Sequence, residues 1–185
     1  TAREIEILSE TRTHLSHSPV ANMKMATGVL PAADVLHAGV NLGLGTDGAL
    51  NNNSYDMFLE MKCACLLQNS LKRAPRALLP EQALEMATIN GAKALKLDEE
   101  VGSLETGKKA DLIMLDIRQP HLVPCHDPLA LLVYSAQASD VTTVMVDGNI
   151  LMEDRQLQTL ELSSILVEAD QQSIDLIERS SPDAY

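Results

Sequence analysis

Residues 40–45, Val-Asn-Leu-Gly-Leu-Gly, form a small-residue apolar run without clean polar alternation, and the run stops on Thr46-Asp47-Gly48. Such a strand is expected where both faces are buried, as inside a parallel sheet. Parallel neighbours need a crossover connection. The preceding residues supply one: Thr13 to His17 predicts a short strand stopped by Pro19, and Pro31 to Val40 predicts a short helix that buries Val35 and Leu36 and ends at Gly39. Strand, loop, helix, strand is the βαβ rhythm. Asp47 is then a lone acid in a Gly- and Asn-rich turn at the end of a buried strand.

Around this unit the hydrophobic periodicity is mostly helical. Residues 2–12 carry Ile5 and Leu8 above a dense polar face, and Met57 to Leu71 repeats apolar residues at helical spacing with Asn53 or Ser54 as the cap. A further helix starts at Pro80, with Ala83, Leu84, Ala87 and Ile89 as its buried stripe and a break expected at Gly91. After Leu97 the pattern becomes β. Residues 102–117 read as turns leading into an apolar strand, and residues 141–156 hold two β-branched runs joined through Asp147-Gly148, a strong hairpin signal. Residues 159–179 return to helical period, and Ser181 to Tyr185 are expected to fray. This divides the chain into residues 1–97, residues 98–158 with a crossover helix around 127–138, and a terminal helix and tail over 159–185.

Composition removes several functions. A formal charge of −12 and a pI near 4.7 repel phosphate backbones and anionic lipid, which argues against a nucleic-acid or membrane-surface partner. With no Trp and one Phe, stacking platforms for single strands are also lacking. Cys63, Cys65 and Cys125 are sparse and odd in number, as expected of free thiols in the cytoplasm. No apolar run is long enough to span a bilayer, and no basic-then-apolar leader opens the chain.

Other chemistry-bearing residues point to ordinary roles. His14 and His17 are an odd number of strand positions apart and face opposite ways. His37 falls on the exposed side of its helix. Cys63 and Cys65 cannot face one another on a helix, and packing explains them better than a metal. His121, Cys125 and His126 invite a zinc reading but lack a fourth ligand and sit among prolines. Lys108 and Lys109 are expected to be solvated in a turn. Asp47 itself has a plain alternative, an Asx-turn or helix-cap residue.

The segments "HSPVANMKMATG", "GVNLGLGTDGALNNNSYDMFLEM", "ATINGAKAL" and "GSLETGKKADLIMLD", in that order, resemble the amidohydrolase superfamily, in the branch of the adenosine-type deaminases and chlorotriazine hydrolases. The similarity runs from about Glu4 to Asp154. It implies an α/β fold: the carboxy-terminal part of a (β/α)8 barrel, about strands seven and eight with their helices, plus part of a small β-sandwich. In a barrel of this kind functional groups stand at the carboxyl ends of the strands. The family's "GTDG" aspartate, matched by Asp47, binds the catalytic metal and takes a proton from the attacking water. Gly45 and Gly48 would let the backbone turn beside the ion. His17 and Asn22 match a "His-x-Pro-x-x-Asn" segment and would shape the pocket wall rather than bind metal, with a hydrogen-bonded structural histidine as the alternative for His17; Ala21 stands where the family commonly has Ser. Asn51, Asn52 and Asn53 would tie the loop down.

The function so implied is hydrolytic deamination of a small heterocyclic substrate, an adenosine-type nucleoside of the methylthioadenosine or S-adenosylhomocysteine class, by a metal-bound hydroxide. A chlorotriazine or guanine hydrolase is the alternative within the family. The metal would be one divalent ion, zinc or alternatively iron. A catalytic site of this kind needs about three protein ligands and an open position. The family's other ligands come from a "His-x-His" pair and from histidines on strands five and six, and none of those segments occurs in this sequence. The chain, which opens without Met on "TAREIEILSE", is therefore expected to be the carboxy-terminal portion of a longer enzyme and inactive alone. Its uncovered barrel faces would drive homo-oligomerisation or association with the missing amino-terminal portion. Two rivals from other classes are a non-catalytic remnant that acts as an assembly module and a small-molecule binding protein without chemistry.

Overall fold

The computed structural model describes residues 1–180; the fraying expected of Ser181 to Tyr185 falls outside the described residues. The first half is an α-rich layer around two short parallel strands. In chain order it holds α1 (Ala2–Glu10), β1 (Leu15–His17), α2 (Pro19–Lys24), α3 (Ala32–His37), β2 (Leu42–Leu44), α4 (Ala49–Asn52), α5 (Met57–Lys72), α6 (Pro80–Ala87) and α7 (Ile89–Leu95). β1 and β2 pair in parallel, with Leu15, Ser16 and His17 opposite Leu42, Gly43 and Leu44. Two strands do not close a barrel. Leu42, fully buried, belongs to a hydrophobic cluster with Val35 of α3, Met61 and Cys65 of α5, and Met86 of α6.

The second half is β3 (Leu112–Leu115), α8 (Pro128–Tyr134), β4 (Val141–Val146), β5 (Asn149–Glu153), β6 (Gln156–Leu157) and α9 (Leu162–Ser180). The four strands form an antiparallel sheet in sequence order. Asp147 and Gly148, at φ of 50° and 76°, make the two-residue turn between β4 and β5. Two positive φ values mark the hairpin turn whose twist suits antiparallel strands. α8 and β4 contribute Val133 and Val141 to the same hydrophobic cluster. Along α9 the apolar residues Leu162, Ile165, Leu166, Val167, Ile174, Leu176 and Ile177 are all exposed. No helix among the described residues is long and apolar enough to cross a membrane.

Several local expectations need correction. α5 is capped by Asp56, whose Oδ1 accepts from the amides of Phe58 and Leu59 at 2.9 and 3.2 Å. Asn53 instead ends α4 in a left-handed conformation, and the Ser54 hydroxyl accepts from the Asp56 amide. The break between α6 and α7 falls at Thr88, with φ −130° and ψ −99°, whose hydroxyl donates back to the Leu84 carbonyl at 2.7 Å; Gly91 lies inside α7. Met86 is the fully buried residue of α6 together with Ala83. The crossover helix is shorter than expected, with Asp127 as its cap. Lys108 is not solvated: its ammonium bonds the Asp98 carbonyl and the Ser103 hydroxyl and pairs with Glu105, leaving its side chain 13% exposed.

Candidate active site

The carboxyl ends of β1 and β2 lie side by side. The register continues one step past the strands, where the Gly45 amide donates to the His17 carbonyl at 2.9 Å. A Cβ on Gly45 would stand 3.2 Å from Ser16 Oγ and 3.6 Å from Ser18 Oγ, a tight fit that the serine side chains would have to yield to. The sharp turn that follows is made by Asp47, at φ 61°, while Gly48 is extended at φ −72° and starts α4. The expectation that Gly48 turns the chain is thus corrected. An acid in the left-handed region is uncommon and costs backbone strain of about 1 kcal/mol, although Asp tolerates it better than most residues. Such strain gathers at functional loops.

The Asp47 carboxylate is exposed. Its Oδ1 accepts from the Gly48 amide at 2.6 Å and its Oδ2 from Asn51 Nδ2 at 3.2 Å. Asn52 is buried and donates both Nδ2 hydrogens, one to the Thr46 carbonyl and one to Glu60 Oε1, each at 2.6 Å. Asn53 Oδ1 accepts from Lys24 Nζ, which also donates to the Leu50 carbonyl. The Asn run therefore braces the loop that carries Asp47.

His17 is 2% exposed, and neither ring nitrogen has a hydrogen-bond partner among the described residues. Burial pushes its pKa down from 6.5 to about 4, so the ring is neutral at pH 7. Asn22, half-buried on α2, accepts from the Thr27 hydroxyl through its Oδ1 at 3.4 Å.

Glu60 was not expected as part of this region. It is fully buried, with Oε2 accepting from the Val20 amide at 3.2 Å and Oε1 from Asn52. Burial raises its pKa, against the lowering effect of those two bonds. The signal for it was in the sequence: Glu60 falls on the same helical stripe as Met61, Ala64, Cys65 and Gln68, where a charge is out of place.

A divalent metal would need about three protein ligands. The Asp47 carboxylate, held only loosely at Oδ2, fits as one oxygen ligand, but the described residues bring no three His, Cys, Asp or Glu side chains together. The other candidates do not add to it. His14 is exposed and bonded through Nδ1 to Asn41, His37 is exposed, and His121 pairs with the buried Asp140 at 2.9 Å. Burial lifts the Cys65 thiol to about 11, which makes it an inert packing residue.

With two parallel strands, helices between and after them, and a lone carboxylate at one strand end, the chain has the layout of a barrel segment. Residues 1–151 match the sequence profile of the Amidohydrolase family, and the chain belongs to that family. Among curated proteins it is 50% identical over 165 residues to a 5-methylthioadenosine/S-adenosylhomocysteine deaminase of Moorella thermoacetica, a match covering 89% of this chain and 39% of that protein. It is 47% identical over 176 residues to a 5'-deoxyadenosine deaminase of Methanosarcina mazei, covering 95% and 40%. The chain thus spans about two fifths of these relatives. An adenosine deaminase from Xanthomonas campestris, crystallised with bound zinc, superposes with a TM-score of 0.90 at 35% identity, over 92% of this chain and 39% of that one. The zinc-bound atrazine chlorohydrolase of Arthrobacter aurescens has the same fold over 92% of this chain and 38% of its own, with a TM-score of 0.86 at 24% identity. The mixed α/β fold is that of amidohydrolases over part of their length, with the barrel left open.

Proposed function

We propose that this chain carries the Asp47 arm of a metal-dependent active site that hydrolytically deaminates an adenosine-type nucleoside of the methylthioadenosine or S-adenosylhomocysteine class. The observation that carries the reading is Asp47 in a left-handed turn directly beyond a buried parallel strand, with its loop braced by Asn51 and Asn52. The relatives' deaminase names support the substrate class. Zinc is the proposed ion, on the strength of the zinc carried by the two crystallised neighbours, with iron as the alternative.

Asp47 would give one oxygen to the ion and keep the other to accept a proton from the attacking water and hand it to the leaving amino group. The ion, when bound, supplies Lewis acidity that brings the water's pKa towards neutrality. Water oxygen ends on the ring carbon and the amino group leaves as ammonia. Neutral His17, with Asn22, would line the pocket without competing for protons at pH 7. Gly48, Asn51 and Asn52 would hold the loop.

The remaining ligands have to come from outside the described residues, so the test is complementation. This chain is co-expressed with the segment of the Moorella relative that precedes the matched region, and ammonia release from methylthioadenosine and metal content are measured. Activity with about one metal per complex, reduced roughly a thousand-fold or more by Asp47→Asn, is the expected outcome. Near-normal turnover in Asp47→Asn would sink the reading. A non-catalytic assembly module is the second reading, favoured by the lack of a three-ligand cluster among the described residues. A complex that forms but neither binds metal nor releases ammonia would establish it. The exposed apolar face of α9 supports association of either kind, and sedimentation of the chain alone as a monomer that binds no hydrophobic dye would remove that part.

A further inference from the structure

We propose that Glu60 is a positioning residue that locks the loop after β1 to the loop after β2, and so holds Asp47 at a fixed place relative to the His17–Asn22 segment. The proposal rests on the reading of Asp47 as the reactive carboxylate, and its geometry stands without it. One side chain on α5 reaches two backbone segments far apart in sequence. Towards β1, Glu60 Oε2 takes the Val20 amide, at the start of α2, where Ser18 makes no side-chain cap. Towards β2, Oε1 takes Asn52, whose second Nδ2 hydrogen goes to the carbonyl of Thr46, the residue before Asp47. The path from the segment after His17 to the residue before Asp47 therefore runs through two hydrogen bonds on one carboxylate and a third from Asn52 Nδ2 to the Thr46 carbonyl.

A charged group is an expensive way to fill a fully buried position. Stability alone would be served by Leu or Met on that stripe, as it is at Met61. What a carboxylate adds is two acceptors at fixed separation facing two donors, so the loops cannot slide independently without leaving a buried charge unpaired. Two other ties join the same segments: the Gly45 amide to the His17 carbonyl at the strand ends, and Lys24 to Leu50 and Asn53, which is exposed and correspondingly weak. Glu60 is fully buried and makes no hydrogen bond to Asp47 itself, whose carboxylate is held by Gly48 and Asn51.

Amide hydrogen exchange by mass spectrometry on the 185-residue chain tests this. Glu60→Ala is expected to speed exchange about ten-fold or more in both residues 18–25 and residues 45–53, with the β4–β5 hairpin unchanged. Asn52→Ala cuts one arm only, and is expected to loosen residues 45–53 while residues 18–25 keep their protection. Equal acceleration everywhere, including the hairpin, would show a general structural role and overturn the proposal. So would unchanged exchange in either segment of Glu60→Ala. Should Glu60→Ala not fold, Asn52→Ala decides: a rise confined to residues 45–53 upholds the clamp, and no rise or a uniform one removes it. Failure of the Asp47 reading would appear instead as retained deamination in Asp47→Asn, with these exchange patterns intact.

Discussion

The parallel strand pair and the antiparallel sheet are held together by different kinds of bond. β1 and β2 share a register only three residues long, and buried side chains from the surrounding helices supply the missing ties. Gln68 bridges the Leu30 carbonyl and the Ala33 amide, Asn90 donates to the Leu42 carbonyl, and Glu60 joins Val20 to Asn52. The β3–β6 sheet relies on backbone ladders between strands that are neighbours in sequence order, and its long-range side-chain bonds, Thr142 Oγ1 to the Met114 carbonyl and the Asp147 amide to Asp111 Oδ1, are exposed rather than buried. Glu60 joins the segments that follow β1 and β2, beside the candidate site, while Asn90 holds the start of β2 and Gln68 the start of α3.

The sharpest test of this contrast is a pair of apolar truncations. Leu42→Ala, at a fully buried position of β2, is expected to cost about 3–5 kcal/mol in chemical denaturation. Ile150→Ala, at a residue of β5 that is 40% exposed, is expected to cost less than about 1 kcal/mol. Comparable losses would mean that the two regions share their stability more evenly than their burial implies.

Acid should weaken the strand-end region through His17. Its pKa falls from 6.5 unfolded to about 4 folded, so between those values the unfolded chain binds a proton that the folded one excludes. Stability therefore rises with pH across that window, by up to about 3 kcal/mol, and the contribution is lost as pH falls from 6.5 towards 4. Glu60 acts with the opposite sign: its raised pKa makes the folded state hold a proton longer, so its contribution declines as pH rises above 4.5. His17→Leu should flatten the acid limb and leave the Glu60 trend visible. An unchanged limb would mean that His17 is not the group being titrated.

Gln68→Leu probes the braces directly. The substitution keeps volume and leaves the Leu30 carbonyl and Ala33 amide without their partner, at an expected cost of about 2 kcal/mol in the same denaturation assay. A neutral result would make the side-chain ties dispensable and remove the contrast with the sheet.

The sequence was easiest to read where the determinants were local. Asp147-Gly148 announced its hairpin because a two-residue turn depends on the two residues in it. The βαβ unit was visible from the unalternating run at β2 and the short apolar helix before it. Asp47 stood out as the acid that ends that run, but its left-handed backbone did not, because two flanking glycines offered an easier place for the turn. Glu60 and Gln68 were missed as polar positions on an apolar stripe, because Val20, Leu30 and Ala33, which they meet, lie 35 to 40 residues away along the chain. Periodicity reports which face is buried; it carries no information on which distant amide a buried carboxylate meets.

The smallest expected effect comes from the sheet's own determinant. Gly148, at φ 76°, has nothing within 4 Å of where a Cβ would stand. Gly148→Ala therefore meets no clash, and its cost is the left-handed backbone alone, about 1 kcal/mol. Gly148→Asn should cost less, since a short polar side chain tolerates that region. Neither substitution should change hydrogen exchange in residues 45–53, because the hairpin's turn makes its backbone bonds to Ala110 and its side-chain contact to Asp111, within its own sheet region. Acceleration at the Asp47 loop in Gly148→Ala would show that the locally held sheet and the braced strand ends are one cooperative unit, and that the division between them is one of bonding pattern only.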